Sequence, residues 1–345
     1  MSKSKRSRKL RFQRFWLKLL CTVLGLILAA MLAVTVYVQY LMNQIQYVDP
    51  EDGPTLSHQE LEQLLAGETQ AGHSDMDPED VELGQPDALI GGKGSGLINI
   101  LLIGQDRRPG EDRARSDSMI LCTYNKKTKT LVMTSILRDL YVAIPGYQDN
   151  RINVAYAAGG MKLLNETLET NFGIRVDGNI EVDFTQFADI VDLVGGVRME
   201  LRADEAAHIN AVVGGNLTEG STLLNGQQAL TYARIRTLDA DGDFSRTNRQ
   251  RKVISAILDS YKSAGLTTLL SLLDDVLPMI TTDMSNLKIA GYALEVFPSL
   301  SDMTIVSQRI PADGTYTGKT IRGMSVLVAD MDAVRQMLAE TLTGS

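Results

Sequence analysis

Hydrophobic positions follow two rhythms along this chain, and the switches between them mark its elements. The apolar run "LINILLIG" at 97–104 predicts a buried strand that stops at Gly104. "SMILCTYNKKTKTLVMTSI" at 118–136 is two β-rich runs around a polar turn, which predicts a hairpin. Helical spacing takes over in "GGMKLLNETLETNFG", closed by Gly173, and again in "FTQFADIVDLVGG", which a strand "VRMEL" follows. "NGQQALTYA" reads as a helix capped by Asn225 and ending just before Arg234, and "SRTNRQRKVISAILDSYKSAG" as a longer one. Helical stretches at 266–280 and 286–296, late strands "MTIVSQRI" and "SVLVA", and a final helix "DMDAVRQMLAETL" complete the series. Strands and helices alternate with one hairpin embedded, which predicts a layered α/β domain on a mixed sheet.

Upstream of residue 96 the pattern is different. Residues 19–38 carry no charge, and a helix of that length, at about 1.5 Å per residue, spans the ~30 Å core of a bilayer. The run exceeds the ~7–15-residue apolar core of a cleaved signal. Tyr37 at its end and Tyr40 and Tyr47 beyond it stand where interfacial anchors do. A retained transmembrane helix is expected over 19–41. Residues 1–18 hold eight Lys/Arg and no acidic residue, so this tail is expected to be cytoplasmic and the rest of the chain extracellular, on a single-pass membrane protein. Residues 49–87 hold twelve Asp/Glu and no Lys/Arg. With its Gly, Pro, Ser and Gln content, 42–95 reads as a flexible linker around one short helix, "LEQLLAGE". That leaves 96–345 as the folded extracellular domain.

Charge and cysteine content narrow the classes. The formal net charge is −8, against the basic balance of a duplex-binding domain, and an outward-facing domain has no DNA to meet. Cys21 lies in the membrane run and Cys122 in a strand, so the outer domain stands on its core without an intrachain disulfide.

Against this acidic background, residues 229–252 gather Arg234, Arg236, Arg246, Arg249 and Arg251. On a helix from Arg246 to Tyr261, Arg246 and Gln250 continue the apolar stripe of Val253, Ile257 and Tyr261, while Arg251 and Lys252 point elsewhere and are expected in solvent. A guanidinium on the packed side is costly unless paired. Its partner is either a ligand anion, for which Arg supplies planar bidentate donors, or an internal network with Asp239, Asp241 and Asp243. Upstream, Asp106 and Asp117 sit at the ends of neighbouring strands. They are either loop caps or a pair that converges on a hard cation such as Mg²⁺ together with phosphate oxygens. Arg138, at the end of the second hairpin strand, is weak by itself. Several arginines and a possible metal pair in one enclosed outer domain favour a diphosphate.

Seven pieces in order over about 100–251 carry a resemblance: "LLIGQDRR", "RSDSMILCTYN", "SILRDLYV", "RINVAYAAGG", "FADIVDLVGGV", "LNGQQALTYARIR" and "DFSRTNRQR". Together they resemble the LytR-CpsA-Psr family of Gram-positive bacteria. The resemblance implies a layered α-β-α domain with a central mixed sheet and a long apolar pocket. It implies a cell-wall phosphotransferase that moves a glycopolymer, such as wall teichoic acid or capsule, from a polyprenyl (pyro)phosphate carrier to a peptidoglycan hydroxyl, leaving a phosphodiester. Asp106 and Asp117 match the Mg²⁺ positions. Arg115, Arg138, Arg234, Arg236, Arg246 and Gln250 match diphosphate-binding positions, with Arg115 and Arg246 also at the chemistry. Asp243 matches an acidic position that activates the acceptor hydroxyl. In the charged loop "RRPGEDRAR", Arg113 competes with Arg115 for the phosphate. The prenyl chain is expected against "MKLLNETL" or "FADIVDLV". A diphosphatase using water, and a non-enzymatic glycopolymer-binding or regulatory envelope protein, are the alternatives.

Overall fold

The structure is a computed structural model and describes residues 36, 40, 43–49, 55–65, 74–105 and 116–344. It forms two compact units, Met1–Ile45 and Gln46–Ser345. The membrane helix expected over 19–41 lies outside the described residues apart from Val36 and Tyr40, and among the described residues no helix is long and apolar enough to cross a membrane.

In the second unit the strands are β1 (Gln46–Tyr47), β2 (Leu97–Gln105), β3 (Ser116–Asn125), β4 (Thr130–Ile136), β5 (Tyr141–Val142), β6 (Asn150–Arg151), β7 (Gly178–Asp183), β8 (Val197–Leu201), β9 (Gly220–Leu224), β10 (Thr281–Thr282), β11 (Thr304–Ile310), β12 (Tyr316–Ile321) and β13 (Met324–Ala329). Seven of them make one sheet in the order β1-β10-β7-β2-β3-β4-β11. The β2–β3–β4 meander is antiparallel, whereas β7 runs parallel to β2 and β11 parallel to β4, so the sheet is mixed as expected.

Alternation along these strands divides the sheet's two faces. Leu101, Ile103, Leu121, Val132 and Ile136 point into the main core, where the Ile152–Phe172 and Met331–Thr343 helices contribute Leu164, Leu168, Val334 and Leu338. The opposite face carries the Phe184–Leu193, Gly226–Arg234 and Asp243–Tyr261 helices, which enclose a second core around Val191, Tyr232 and Val253. The architecture is therefore helix, sheet, helix. The caps expected from sequence form: Gly173 ends its helix at φ 69°, and Asn225 accepts from the Gln228 amide at 3.0 Å.

Two expectations need correction. The helix expected over 159–173 runs from Met161, because Gly159 and Gly160 (φ 62°) are non-helical, and a separate helical segment over 152–158 precedes it across this kink. Of the stretch expected as a flexible linker, the described parts are docked. β1 pairs with β10, Leu61 of the His58–Leu65 helix enters the core, and Ile90 bridges to Ile174. Isolated apolar residues make these contacts, and an acidic average composition conceals them. The Ala203–Val213 helix, β9 and β12 were not anticipated.

Candidate active site

The site begins with an irregularity in the β2–β3 pairing. Gly104 faces Ser118 but Gln105 faces Ser116, so Asp117 is the extra residue of a β-bulge. A bulge bends its strand and re-aims the side chain at the break. Gly104 permits the approach: a Cβ there would meet the Ser118 Cβ at 3.0 Å. Asp117 Oδ1 accepts from Arg138 at 2.8 Å, and its backbone carbonyl accepts from Arg246 Nη2 at 3.2 Å. Ser118, the next residue, donates from Oγ to Gln250 Oε1 at 2.9 Å.

Asp243, the first residue of the Asp243–Tyr261 helix, stands at the centre. Its Oδ2 meets Arg138 and Arg246, each at 3.2 Å, and its Oδ1 meets Arg236 at 3.3 Å. Arg138 also approaches Asp139 at 3.6 Å, and Asp139 lies 3.7 Å from Arg151. Burial tends to strip the proton from Arg138, but Asp139, Asp243 and Asp117 outweigh it and hold the guanidinium above its ordinary value. Arg151 goes the other way: burial dominates and lowers it. Among the described residues, Arg138, Arg236 and Arg246 thus converge on Asp243, Arg138 also meets Asp117 and Asp139, and Arg151 stands beside Asp139. Arg246 is 3% exposed and its Nε has no hydrogen-bond partner, an arrangement that favours an incoming anion.

Beside this cluster an apolar cavity of about 210 Å³ runs between the sheet and the helices. Leu102, Ile120, Val182, Phe187, Ile190 and Ile257 line it, and Ser118, Arg234 and Gln250 belong to its polar lining. Arg234 ends its helix and lies with its guanidinium carbon 4.4 Å from the Phe184 ring centre. Of the two segments expected to house a prenyl chain, "FADIVDLV" lines the cavity through Phe187 and Ile190. "MKLLNETL" does not: Met161, Leu163, Leu164 and Leu168 are buried in the main core on the other side of the sheet.

Arg138, Arg236, Arg246, Gln250, Asp117 and Asp243 are thus gathered in one place, with Arg234 on the cavity wall. Asp106, Arg113 and Arg115 lie outside the described residues. Arg251 is a correction. It is buried, not solvated, because this helix packs along two sides and its second side faces β4, where Arg251 donates to Ser135 Oγ at 2.5 Å. Arg249 realises the internal-network alternative: it is buried against Glu205 (2.9 Å) and Asp239 and belongs to the scaffold. Asp139, Arg151 and Ser118 escaped sequence reasoning. Ser118 lies in register with Gly104, but that pairing depends on the bulge, and Arg151 is placed by the pairing of β6 with β5. Among the described residues no group of three or more His, Cys, Asp or Glu is placed to hold a metal.

The profile of the LytR_cpsA_psr family matches residues 62–342. The chain belongs to the LytR-CpsA-Psr family. Among curated relatives, it is 36% identical over 221 residues to the polyisoprenyl-teichoic acid–peptidoglycan teichoic acid transferase TagT of Bacillus subtilis, covering 62% of this chain and 67% of TagT. It is 40% identical over 167 residues to the regulatory protein MsrR of Staphylococcus aureus, covering 48% of this chain and 49% of MsrR; the chain spans about half the length of that relative. A solved structure of TagT bound to LIIa-WTA superposes with a TM-score of 0.60 at 30% identity, covering 75% of this chain and 96% of TagT. A structure of the family protein YwtF (TagT) with bound octaprenyl pyrophosphate lipid gives 0.54 at 28% identity, over 76% of this chain and 98% of that one.

Proposed function

We propose that this LytR-CpsA-Psr protein is a phosphotransferase that moves a glycopolymer from a polyprenyl diphosphate to a hydroxyl of peptidoglycan, in the cell envelope outside a membrane to which 19–41 anchors it. One observation carries the reading: three guanidiniums, Arg138, Arg236 and Arg246, gathered beside the polar lining of an apolar cavity, which suits a lipid whose head is a diphosphate. The names of the TagT relative and of its lipid-bound structures support the same donor class.

In this reading the prenyl chain lies along Phe187, Ile190 and Ile257, and Arg138, Arg234, Arg236, Arg246, Gln250 and Arg115 bind the diphosphate. The acceptor hydroxyl attacks the sugar-proximal phosphorus. The bond from that phosphorus to the bridging oxygen breaks, and polyprenyl phosphate leaves with the bond's electron pair. Arginines placed where this charge accumulates stabilise the transition state. The hydroxyl proton passes to Asp243. Before the donor arrives, both oxygens of Asp243 are held by arginines. A diphosphate that draws Arg236 and Arg246 toward itself leaves the carboxylate able to accept that proton.

Mg²⁺ belongs to the proposal. Asp117 offers Oδ2 with no protein hydrogen bond among the described residues, and a carboxylate with phosphate oxygens is the donor set this ion prefers. Asp106 is the second expected ligand. The ion would neutralise diphosphate charge.

The test supplies the full chain in detergent with a polyprenyl-diphosphate-linked saccharide, peptidoglycan and Mg²⁺. Saccharide linked to peptidoglycan through a phosphodiester, with equimolar polyprenyl phosphate, is expected. Soluble saccharide phosphate at the same rate with or without peptidoglycan would instead identify a diphosphatase. Glycopolymer binding that survives loss of Asp117, without turnover, would identify a non-enzymatic binder.

A further inference from the structure

Leu287 and Leu294 are 87% and 76% exposed, more than any other large apolar side chain among the described residues. They lie seven residues apart on the Asn286–Val296 helix, so they project within about 20° of each other. Ala290 and Gly291 share that side, and the helix runs on into Phe297, also exposed. Tyr292 and Val296 project the opposite way and pack against the cluster of Ile98, Tyr124 and Met303 on the sheet. Charge is confined to one flank, where Lys288 stands and Glu295 pairs with Lys126. A helix apolar on both sides has the pattern of one covered on both sides. Among the described residues only the sheet side is covered, and no residue of this helix is buried.

The position of the helix in the chain indicates what covers the other side. β1 pairs with Thr281 and Thr282, the Val48 amide donates to the Thr282 carbonyl at 2.9 Å, and Gln46 Nε2 donates to the Pro278 carbonyl at 3.0 Å. Residues 46–48 are therefore clamped to 278–282, and the helix starts after only three more residues. On the other side of the clamp, residues 42–45 alone separate β1 from the end of the expected membrane span, about 17 Å of chain even when fully extended. The edge of the sheet that bears this helix is thus tied close to the bilayer surface. Tyr47 and Val48 are exposed on the same edge, and tyrosine suits the interfacial layer.

We propose that the Leu287–Leu294 side of this helix seats the domain on the outer leaflet of the membrane, as an interfacial helix does. The proposal rests on the reading of 19–41 as a membrane span. It has a consequence for the donor. Ile98, against which the helix packs, and Leu102, which lines the apolar cavity, lie on one face of β2 by alternation. The face of the sheet that carries the cavity then looks toward the leaflet in which a prenyl chain resides, and the face covered by the Met331–Thr343 helix looks away.

The test places the full chain in vesicles of phosphatidylglycerol and phosphatidylcholine, the latter with or without brominated acyl chains. The chain has one tryptophan, Trp16, so Trp16→Phe combined with Leu294→Trp makes a single reporter on the helix. Trp16→Phe with Asp313→Trp makes the control: that side chain is 87% exposed and lies beyond the far end of β11, a strand about 23 Å long that starts next to Met303. Emission of the reporter at 294 should shift to the blue and be quenched by the brominated lipid, and emission at 313 should do neither. The pair Leu287→Asp and Leu294→Asp should lower transfer from a donor embedded in vesicles about fivefold and leave transfer in detergent within twofold. Unquenched emission at 294 overturns the proposal; a blue shift that persists in detergent and grows with protein concentration would assign the face to a second copy of the chain. Equal quenching at 294 and 313 also overturns it. Quenching at 294 in a protein that alkaline carbonate strips from the vesicles would sink the membrane span alone, and quenching at 294 without transfer in any condition would sink the phosphotransferase reading alone.

Discussion

Arg246 and Arg249 lie one turn apart on the same helix, each 3% exposed, and removing their guanidiniums should have opposite consequences. Methionine at either position keeps an unbranched stem and deletes the charge. In Arg249→Met, Glu205 at 5% exposure loses its 2.9 Å partner and retains the Arg202 guanidinium at 3.9 Å and the Arg202 amide at 3.0 Å, while Asp239 keeps Arg202 at 2.7 Å. Breaking a buried pair on one side costs about 3–5 kcal/mol. At about 2–4 °C per kcal/mol for a domain of this size, the melting temperature should fall by about 6–20 °C. In Arg246→Met, Asp243 still has Arg138 at 3.2 Å and Arg236 at 3.3 Å. The lost bonds to the Asp117 carbonyl and to Asp243 are worth about 1 kcal/mol each, and relief of crowding among the arginines on Asp243 offsets part of this, so the melting temperature should move by less than about 6 °C. Affinity for octaprenyl diphosphate should nonetheless drop about 10–100-fold, the worth of a hydrogen bond to a charged group. Paired thermal unfolding and lipid-binding titrations read both. Equal destabilisation by the two substitutions, or undiminished lipid affinity in Arg246→Met, would refute the division into scaffold and ligand arginines.

Asp117→Asn should remove the Mg²⁺ response of transfer, read as the loss of a saturating Mg²⁺ titration, and should loosen Arg138 by removing its 2.8 Å charge partner. Ile190→Trp, at the cavity wall, should cut octaprenyl diphosphate affinity at least tenfold while sparing a short prenyl diphosphate, because it fills the space a long chain needs. Tyr232 should give an alkaline signature: burial first, and the Glu205 carboxylate next, push its hydroxyl up to about 12. The unfolded chain ionises this tyrosine near its ordinary ~10, so its contribution is complete below pH ~10 and is lost as pH rises toward 12. Urea midpoints between pH 9 and 11 should therefore fall less steeply in Tyr232→Phe than in the parent.

What sequence reasoning reached depended on whether the determining contact was local. The periodicity of the Asp243–Tyr261 helix put Arg246 and Gln250 on a packed face, and both are at the site. The same wheel sent Arg251 into solvent, because it assumed one packed side where the helix has two: a cavity side and a β4–β11 side. Arg138 carried little meaning alone. Its importance comes from Asp117, twenty-one positions earlier, and Asp243 much later, brought together by the hairpin register and a helix start. Nothing in "RSDSMIL" announces that Asp117 occupies a bulge, since the extra residue is defined only by the partner strand. The docked pieces of 42–95 were lost for a related reason: each rests on one or two apolar residues, too few to shift a composition average.

Aspartate use separates the two arginine sets more sharply than burial does. Asp204, Glu205 and Asp239 together serve Arg202 and Arg249, three acids for two bases, so each guanidinium there has its carboxylates. Asp243 is shared by three arginines, of which Arg138 also pairs with Asp117 and Asp139, and Arg246 Nε remains without a hydrogen bond. Three guanidiniums drawn around one carboxylate at the edge of an apolar cavity repel one another, a cost that an arriving anion removes. In the proposed reading these guanidiniums meet a diphosphate, and a divalent cation at Asp117 would neutralise part of its charge. Stability in the absence of lipid should accordingly rise on adding a multivalent anion such as inorganic diphosphate, and Asp243→Asn, which leaves the arginines without their shared acid, should enlarge that rise. An anion-induced shift in melting temperature that is the same in Asp243→Asn and in the parent would mean the cluster is not the place where the anion binds.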